Sequence, residues 1–343
     1  MLIMIHMTDV EILLLTNNIV EPFQIIGLDF VYLNKLFATQ SLAEHGLGFL
    51  ISLYEKEENP SDAWGPKILK KIIFDLGGLN KTFLHNINVR GYSLYDVNCI
   101  ALSHWHYDHM GALYEVLEEI EEQIPVVCHQ DAQFERFFKR AGDVKNSDLR
   151  GKKRAEIVPL LNQMKIVNQE PIDEARIEKL KGELIYTKES YEIFKNEDLK
   201  IILSGEIPRI HPEEEFSNFF SLQDGTIKED QILDDKCMIF EFGEKVVLLN
   251  GCCHSGIMNT IDYVKELTQK PITHIIGGFH MSRASDKRIK KTIDYLQTFQ
   301  DLSEPLYIFP IHCTGRGLLK EIEASKPAGI KAYNASVGTR FTF

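Results

Sequence analysis

The sequence contains a dense run of metal-ligating side chains, Ser103-His104-Trp105-His106-Tyr107-Asp108-His109. Imidazole nitrogen and carboxylate oxygen are common ligands of zinc, iron and manganese. His104 and His106 are two positions apart and can face one metal ion, whereas Asp108 and His109 enter the next turn and can face a second. Because two neighbouring ions can activate water and polarise the atom that it attacks, the run indicates hydrolytic chemistry.

Predicted strands and helices position this run. An apolar strand at 97–102 precedes it, and 111–120 has apolar residues at helical spacing. The same patterns predict strands at 10–16, 48–54, 71–76, 125–129, 200–203, 237–242, 245–250, 274–276 and 306–310, and helices at 258–267 and 287–300. A hairpin loop is predicted at 56–66. The stretch from about 131 to 196 differs, with a helix at 134–140 and a charged loop, and we interpret it as an insertion near the site.

The pattern His-x-His-x-Asp-His after a strand resembles the signature of the metallo-β-lactamase superfamily. The preceding Ile73-Phe74-Asp75-Leu76-Gly77-Gly78 resembles the first motif of that superfamily, which implies that Asp75 braces the histidine run from behind. The implied fold class is α/β, a four-layer αββα sandwich of two mixed sheets flanked by helices. The implied organisation is one domain over 1–343, with the insertion at about 131–196.

Further motifs are similar to one subfamily, which is labelled 7,8-dihydropterin-6-methyl-4-(β-D-ribofuranosyl)-aminobenzene-5′-phosphate synthase. They are Ala43-Glu44-His45-Gly46-Leu47, Gly205-Glu206-Ile207-Pro208-Arg209, Asn250-Gly251-Cys252-Cys253-His254-Ser255-Gly256-Ile257, Gly277-Gly278-Phe279-His280 and Ile311-His312-Cys313-Thr314-Gly315. The similarity runs over nearly the whole chain. It specifies the subfamily more closely than the reaction, because members carry this label without the pterin pathway.

The superfamily pattern implies a ligand set. One further histidine completes the first metal, an aspartate bridges the two, and a last histidine completes the second. This chain has Gly251-Cys252 in place of the bridging Gly-Asp, so His254 takes the bridging or completing position and Cys252 is a weaker candidate. Glu206 stands where the third-motif histidine falls and is also a weaker candidate. The predicted metal ligands are His104, His106, Asp108, His109, His254 and His312.

Other residues are candidates for catalysis and substrate binding. Asp108, or a hydroxide held by the metals, is the predicted base, and His280 is a predicted catalytic residue that contacts substrate or donates a proton. Arg209 is the candidate for an anionic substrate group, with a surface arginine as the alternative. His45 is predicted to line the pocket, with a capping or core role as the alternative.

Composition limits the classes of function. The 343 residues carry a net charge of −12, which argues against a nucleic-acid partner. Six cysteines without a Cys-x-x-Cys pair favour a reducing cytoplasmic location. No run reaches the roughly 20 apolar residues of a membrane span, and we interpret 10–15 as a core strand, not a signal peptide. A small anionic molecule is the expected partner, and a homodimer is compatible with the sequence.

The sequence therefore predicts an enzyme, a metal-dependent hydrolase whose mono- or dinuclear site activates water on a phosphate-containing or ester small molecule. Two Zn²⁺ ions per chain are the favoured cofactor, with iron or manganese as alternatives. A synthase that uses a pterin diphosphate, as in the resembled subfamily, is one alternative function. A non-catalytic, metal-containing protein that binds a ligand is another.

Overall fold

The computed structural model describes residues 8–55, 67–214, 218–299 and 304–343, so the predicted loop at 56–66 lies outside the described residues. The strands are β1 Thr8–Thr16, β2 Val31–Leu33, β3 Gly48–Glu55, β4 Ile68–Leu76, β5 Cys99–Ala101, β6 Ile124–Cys128, β7 Arg136–Lys139, β8 Ile166–Gln169, β9 Gly182–Tyr186, β10 Tyr191–Lys195, β11 Leu199–Leu203, β12 Phe219–Gln223, β13 Thr226–Glu229, β14 Cys237–Phe242, β15 Lys245–Asn250, β16 Ile272–Gly277, β17 Leu306–Pro310, β18 Ile330–Ala332 and β19 Thr339–Thr342.

The helices are α1 Lys35–Ala38, α2 Thr82–Val89, α3 Tyr107–Met110, α4 Leu113–Glu119, α5 Arg154–Asn162, α6 Glu174–Lys179, α7 Ile257–Thr268, α8 Asp286–Phe299 and α9 Gly317–Ser325. None of these helices combines the length and the apolar character that crossing a bilayer requires.

Two large sheets form the centre of the molecule. The first has the strand order β2-β19-β1-β3-β4-β5-β6-β9, and the second has the order β10-β11-β14-β15-β16-β17-β18. Each sheet is mixed. In the first, β1, β3 and β4 pair antiparallel and β4, β5, β6 and β9 pair parallel. In the second, β10, β11, β14 and β15 pair antiparallel, and β15, β16, β17 and β18 pair parallel.

Side-chain alternation explains why the two sheets stack. Along β1, Val10, Ile12 and Leu14 enter the core between the sheets, whereas Leu13 and Leu15 enter a second core under helices. A continuous apolar run is therefore a strand that is buried on both faces. Helices α2, α4 and α6 cover the first sheet, and α7, α8 and α9 cover the second. The predicted four-layer αββα sandwich is confirmed.

A small third sheet was not anticipated. Its order is β13-β12-β7-β8, and all its pairings are antiparallel. The helix predicted at 134–140 is wrong, because this segment forms β7 between β8 and the distant β12. Of the stretch 131–196, β7 and β8 belong to this sheet, whereas β9 and β10 lie at edges of the first and second sheets.

One buried arginine joins the small sheet to the histidine run. Arg136 in β7 is 1% exposed and donates to Asp230 Oδ2 at 2.9 Å and Asp234 Oδ1 at 2.7 Å. It also donates to the carbonyl oxygen of Trp105 at 2.6 Å, while Asp234 Oδ2 accepts from the amide of Trp105 at 2.8 Å. Burial by itself lowers the pKa of Arg136, but the two carboxylates raise it above its usual value. The guanidinium therefore stays charged.

Replacement of Arg136 by leucine should lower the free energy of unfolding by about 3–5 kcal/mol, because it leaves two carboxylates buried without a partner. Denaturant unfolding followed by circular dichroism measures this change. The matched control is Arg150→Leu, which breaks an exposed pair with Glu229 and should cost less than about 1 kcal/mol. Equal losses for both variants would contradict a special role of Arg136.

Candidate metal centre

Most of the predicted site residues meet at one end of the two sheets, because they lie at or just after the carboxyl ends of strands that pair in parallel. Asp75 lies at the end of β4, and the histidine run follows β5. The Gly251-Cys252-Cys253-His254 segment follows β15, His280 follows β16, and His312 follows β17. Loops after neighbouring parallel strands lie side by side, and this topology brings together residues that are 200 positions apart in sequence.

Two groups of ligand atoms result. Each group has its nitrogen, oxygen or sulfur atoms within 4.8 Å of one another, and every member is buried. The first group is His104, His106 and His254. The second group is Asp108, His109, His312 and Cys252. All six predicted ligands fall into these two groups, and the weaker candidate Cys252 joins the second.

Interatomic distances within the groups suit shared coordination. In the first group, His104 Nε2 and His106 Nδ1 are 2.9 Å apart, close to the roughly 3.3 Å between two nitrogens on one tetrahedral zinc. In the second, His109 Nε2 lies 3.1 Å from Cys252 Sγ, and His312 Nε2 lies 3.4 Å from Asp108 Oδ2. The donor set therefore fits one ion held by three nitrogens and a second held by nitrogen, oxygen and sulfur.

The second ring nitrogens of two histidines are fixed by neighbours. His104 Nδ1 lies 2.8 Å from Ser103 Oγ, whose proton goes to Asp75, so this nitrogen is the donor. His312 Nδ1 lies 3.1 Å from Asn18 Oδ1, which only accepts. In both rings Nδ1 carries the proton, so the lone pair of Nε2 is available to bind a metal. Hydrogen bonds to neighbouring groups set the tautomer of metal-binding histidines in the same way.

Asp75 contacts the run at two of its residues. Its carboxylate is fully buried and accepts from the amide of Ser103 at 2.8 Å, from Ser103 Oγ at 2.7 Å and from His109 Nδ1 at 2.7 Å. Burial alone would lower the pKa of His109, but the charges of Asp75 and Asp108 raise it to about 9. In the metal-free protein, His109 therefore carries a second proton at neutral pH.

Four residues in this region have a strained backbone conformation. Asp75, Cys253, His280 and His312 all have positive φ, at 58°, 62°, 46° and 53°. Residues other than glycine adopt this conformation at a cost, and such positions cluster at functional sites. Gly251 is required for another reason, since a Cβ there would lie 2.2 Å from Ser103 Oγ.

A sulfur-rich group borders the second cluster. Cys252, Cys313 and His280 have ligand atoms within 4.8 Å of one another, and Cys313 Sγ lies 3.3 Å from the carbonyl oxygen of Cys252. Burial raises the pKa of the Cys252 thiol. Burial acts in the same direction on Cys313, but hydrogen bonds with Cys252 and His280 hold its pKa well below the usual range. His280 itself is half-buried and lines the pocket.

His45 reaches the site from the other side. Its Nε2 lies 3.2 Å from Asp108 Oδ2, and its ring stacks on His312 with centroids 4.8 Å apart. The hydrogen bond to Asp108 raises the pKa of His45. Burial alone would raise the pKa of Asp108, but the charge of His109 and a hydrogen bond from His45 hold it well below its usual range.

Two predicted residues lie elsewhere. Glu206 Oε1 is 3.0 Å from His129 Nε2 and 3.6 Å from Lys188 Nζ, and it belongs to neither ligand group. Arg209 does not line the pocket. Its guanidinium donates to the carbonyl oxygens of Gln231 and Ile232.

A pocket of about 740 Å³ opens above the two groups, which is the size of a small-molecule site. His106, Asp108, His254 and His312 form part of its floor. Cations line its sides, namely Lys139, Arg283 and Arg288. Asp108 is the only carboxylate among the described residues that line it.

Several supporting residues were not predicted. Asn18 orients His312, Asp234 and Arg136 hold the backbone of Trp105, and Arg283 and Arg288 add positive charge to the pocket. They are single polar residues outside the recognised motifs. The available signal was their position, with Arg283 three residues beyond His280 in the loop after β16 and Arg288 eight residues beyond it in the first turn of α8.

Comparison with known proteins places the chain in a family. Residues 70–186 match the family described as the Metallo-beta-lactamase superfamily. Uncharacterized protein MJ0448 of Methanocaldococcus jannaschii is 30% identical over 273 residues, which are 80% of this chain and 85% of that protein. A crystal structure titled Tm1679, a metal-dependent hydrolase of the beta-lactamase superfamily, has a TM-score of 0.65 at 19% identity and covers 97% of this chain and 98% of its own. The chain belongs to the metallo-β-lactamase superfamily.

A second relative agrees with the subfamily resemblance. The 7,8-dihydropterin-6-methyl-4-(beta-D-ribofuranosyl)-aminobenzene-5′-phosphate synthase of the same organism is 26% identical over 282 residues, which are 80% of this chain and 82% of that protein. The predicted similarity to proteins of this name is confirmed, and the reaction of this chain is a separate question.

Asp75→Asn should weaken metal binding about 10- to 100-fold, because a neutral amide cannot accept all three hydrogen bonds or balance the charge of His109. Asparagine tolerates positive φ, so the backbone can be kept. Competition with a chromogenic chelator measures the affinity. Asp143→Asn, which removes an exposed carboxylate paired with Lys165, is the matched control and should change nothing. An unchanged affinity in Asp75→Asn would exclude the bracing role.

Metal binding to chelator-treated protein at pH 7.5 should release two protons, one from His109 and one from the Cys252 thiol, since ligands must be deprotonated. Calorimetry in two buffers of different ionisation enthalpy counts them. Because the pKa of His109 is about 9, its share should vanish as the pH rises above that value. Cys252→Ala should release one proton fewer.

The control for this count is Cys128→Ala, because Cys128 is buried away from both ligand groups and burial raises its pKa to about 12. It should leave the number of released protons unchanged. An unchanged count in Cys252→Ala would remove Cys252 from the ligand set and leave the second ion with two nitrogens and one oxygen.

Proposed function

We propose that this protein is a metal-dependent hydrolase that acts on small phosphate esters. The observation that carries the proposal is the pair of buried ligand groups, His104-His106-His254 and Asp108-His109-His312 with Cys252, beneath one pocket. A protein that needs a metal only for structure closes its coordination sphere, whereas a catalytic site keeps a position open to a cavity. The pocket above both groups supports the catalytic interpretation.

The ligand types support zinc as the metal, with two ions per chain. Three imidazoles suit zinc, and a thiolate in the second group suits zinc or iron better than manganese or magnesium. Iron and manganese remain alternatives. The mixed nitrogen, oxygen and sulfur ligands of the second group select a metal less strictly than the three imidazoles of the first group.

The chemistry follows from the positions of the side chains. When bound, divalent ions would supply positive charge that lowers the pKa of water toward about 7 and stabilises charge on the phosphoryl oxygens. Asp108 stays ionised in the floor, so it can orient the attacking water and accept its proton. As water forms the new P–O bond and the ester P–O bond breaks, His280 at the edge of the pocket can protonate the departing oxygen.

Local charge supports an anionic substrate. The protein has a net charge of −12, yet the lining of its pocket includes Lys139, Arg283 and Arg288. Neither arginine forms an ion pair within the described part of the chain, and the buried Nε of Arg288 lacks a hydrogen-bond partner there. Guanidinium groups bind phosphate well, and a cationic cleft attracts anions to itself. Arg283 and Arg288 thus replace Arg209 as the anion-binding candidates.

One alternative comes from the relatives. The relative at 26% identity is named as a synthase, and a transferase that uses a pterin diphosphate would also place phosphate oxygens against the metals. A non-catalytic binding protein is the second alternative.

The six cysteines are free thiols, which supports the proposed cytoplasmic location.

Protein purified without chelator should contain between one and two equivalents of zinc, iron or manganese by plasma mass spectrometry. His106→Ala should lose metal and lose about 100-fold or more of kcat/KM for bis(p-nitrophenyl) phosphate, because the first ion loses one of its three nitrogen ligands. Chelation should abolish the wild-type activity, and the metal found should restore it.

His85→Ala is the matched control, since His85 is exposed on α2 and bonds to the carbonyl oxygen of Gln40. Its metal content and activity should equal those of the wild type. A folded wild-type protein that cannot be loaded with metal would refute the hydrolase proposal and favour the binding protein. Metal-loaded protein that joins a pterin diphosphate to an arylamine, but hydrolyses no phosphate ester, would favour the synthase.

A further inference from the structure

A second cavity lies beside the metal pocket, between the segment that follows the histidine run and strand β8. Its volume is about 820 Å³, and its lining is mainly carbon. The residues that it does not share with the metal pocket include Leu79, Trp105, Met110, Tyr114, Val167 and Pro171. We call this cavity the apolar cleft.

The apolar cleft exposes large hydrophobic side chains. Leu79 is 65% exposed, and Tyr107, which also lines the cleft, is 39% exposed. Single exposed apolar residues are ordinary on protein surfaces, but several that line one concave site indicate a ligand or a partner. The cleft volume lies within the range of small-molecule sites.

The cleft is continuous with the metal pocket. Tyr107, Phe138 and Lys139 line both cavities and form a shared ridge. The ring of Phe138 packs edge-on against His106, with centroids 5.3 Å apart, and lies 6.3 Å from the ring of Tyr107. A molecule whose reacting group lies at His106 can therefore extend over this ridge into the cleft. This continuity favours one bound small molecule over a separate protein partner.

The lining favours an aromatic occupant. Three partly exposed aromatic side chains line the cleft, namely Tyr107, Tyr114 and Phe138, and the buried ring of Trp105 lies beneath them. Aromatic rings pack against each other in offset or edge-on arrangements and gain energy beyond that of area burial. Trp105 and Tyr114 are held in place. The indole nitrogen of Trp105 donates to the carbonyl oxygen of Glu170 at 3.0 Å, and Tyr114 accepts from the amide of Asp173 at 3.0 Å.

We propose that the natural substrate is a phosphate ester that carries an aromatic ring, and that this ring binds in the apolar cleft while the ester lies in the metal pocket. The proposal rests on the proposed function for the position of the ester. The ridge of Tyr107 and Phe138 sets the distance between the two parts of the substrate. Arg283 and Arg288 contact the charged part, and the cleft selects the apolar part.

The test compares two phosphonates that cannot be hydrolysed at their C–P bond. Calorimetry measures binding of phenylphosphonate and methylphosphonate to protein loaded with Zn²⁺. Burial of the ring should make phenylphosphonate bind on the order of tenfold to hundredfold more tightly. Val167→Trp, which fills the cleft, should reduce this ratio to near one. A wild-type ratio near one, or a ratio that Val167→Trp leaves unchanged, would overturn the proposal.

A matched pair of leucine variants checks that the effect is local. Leu79 in the cleft is 65% exposed, and Leu36 on α1, outside both cavities, is 67% exposed. Both should tolerate glutamine without loss of folding. Leu79→Gln should lower the preference for phenylphosphonate a few-fold, and Leu36→Gln should leave it unchanged. Equal ratios in the two variants would count against the cleft.

A neutral aromatic probe separates this proposal from the proposed function. Binding of 2-naphthol, followed by saturation-transfer NMR, needs no metal. If neither phosphonate binds but 2-naphthol binds the wild type and not Val167→Trp, the proposed phosphoester hydrolysis fails and the cleft is retained as an aromatic site. If 2-naphthol binds both proteins equally, or binds neither, the proposed cleft ligand is refuted.

Discussion

The carboxylate of Asp75 is the contact on which the geometry of the metal centre depends. It is fully buried, and its partners are the backbone and hydroxyl of Ser103 and the imidazole of His109. A buried carboxylate without such partners would be costly, so the end of β4 and the loop after β5 stabilise each other. The same contacts leave His104 Nε2 and His109 Nε2 facing the two ligand groups. The ligands are thus oriented by the fold before any ion arrives.

The central sheets could be predicted because their strands are buried on two faces and leave continuous apolar runs, as in β1 and β15. The small sheet could not be predicted in this way. Strand β7 is short, begins with the charged Arg136 and pairs with β12, about 80 residues away. The charge of Arg136 is neutralised by Asp230 and Asp234, which become its neighbours only after folding. Local pattern therefore favoured a helix where tertiary contacts impose a strand.

In the site, too, some features follow from local sequence pattern and others only from tertiary contacts. The histidine run is contiguous, so chemistry and spacing are both visible in sequence, and motifs after successive strands supplied His254 and His312. Arg209 belonged to a motif, but sequence contains no information about which way its side chain turns, and the loop directs it to backbone carbonyls. Arg283 and Arg288 lie outside any motif, and only the fold shows that they line the pocket.

Strand β7 has a consequence for how ligands influence one another. Arg136 and Phe138 are two residues apart, so both point to the same face, where one holds the backbone of the histidine run and the other forms the ridge beside His106. Any molecule that orders this strand also orders the loop that carries His104 and His106. By thermodynamic linkage, ions and ligand must then alter each other's affinity by the same factor. Under the proposed function, binding of metal ions and binding of substrate would therefore be coupled through β7.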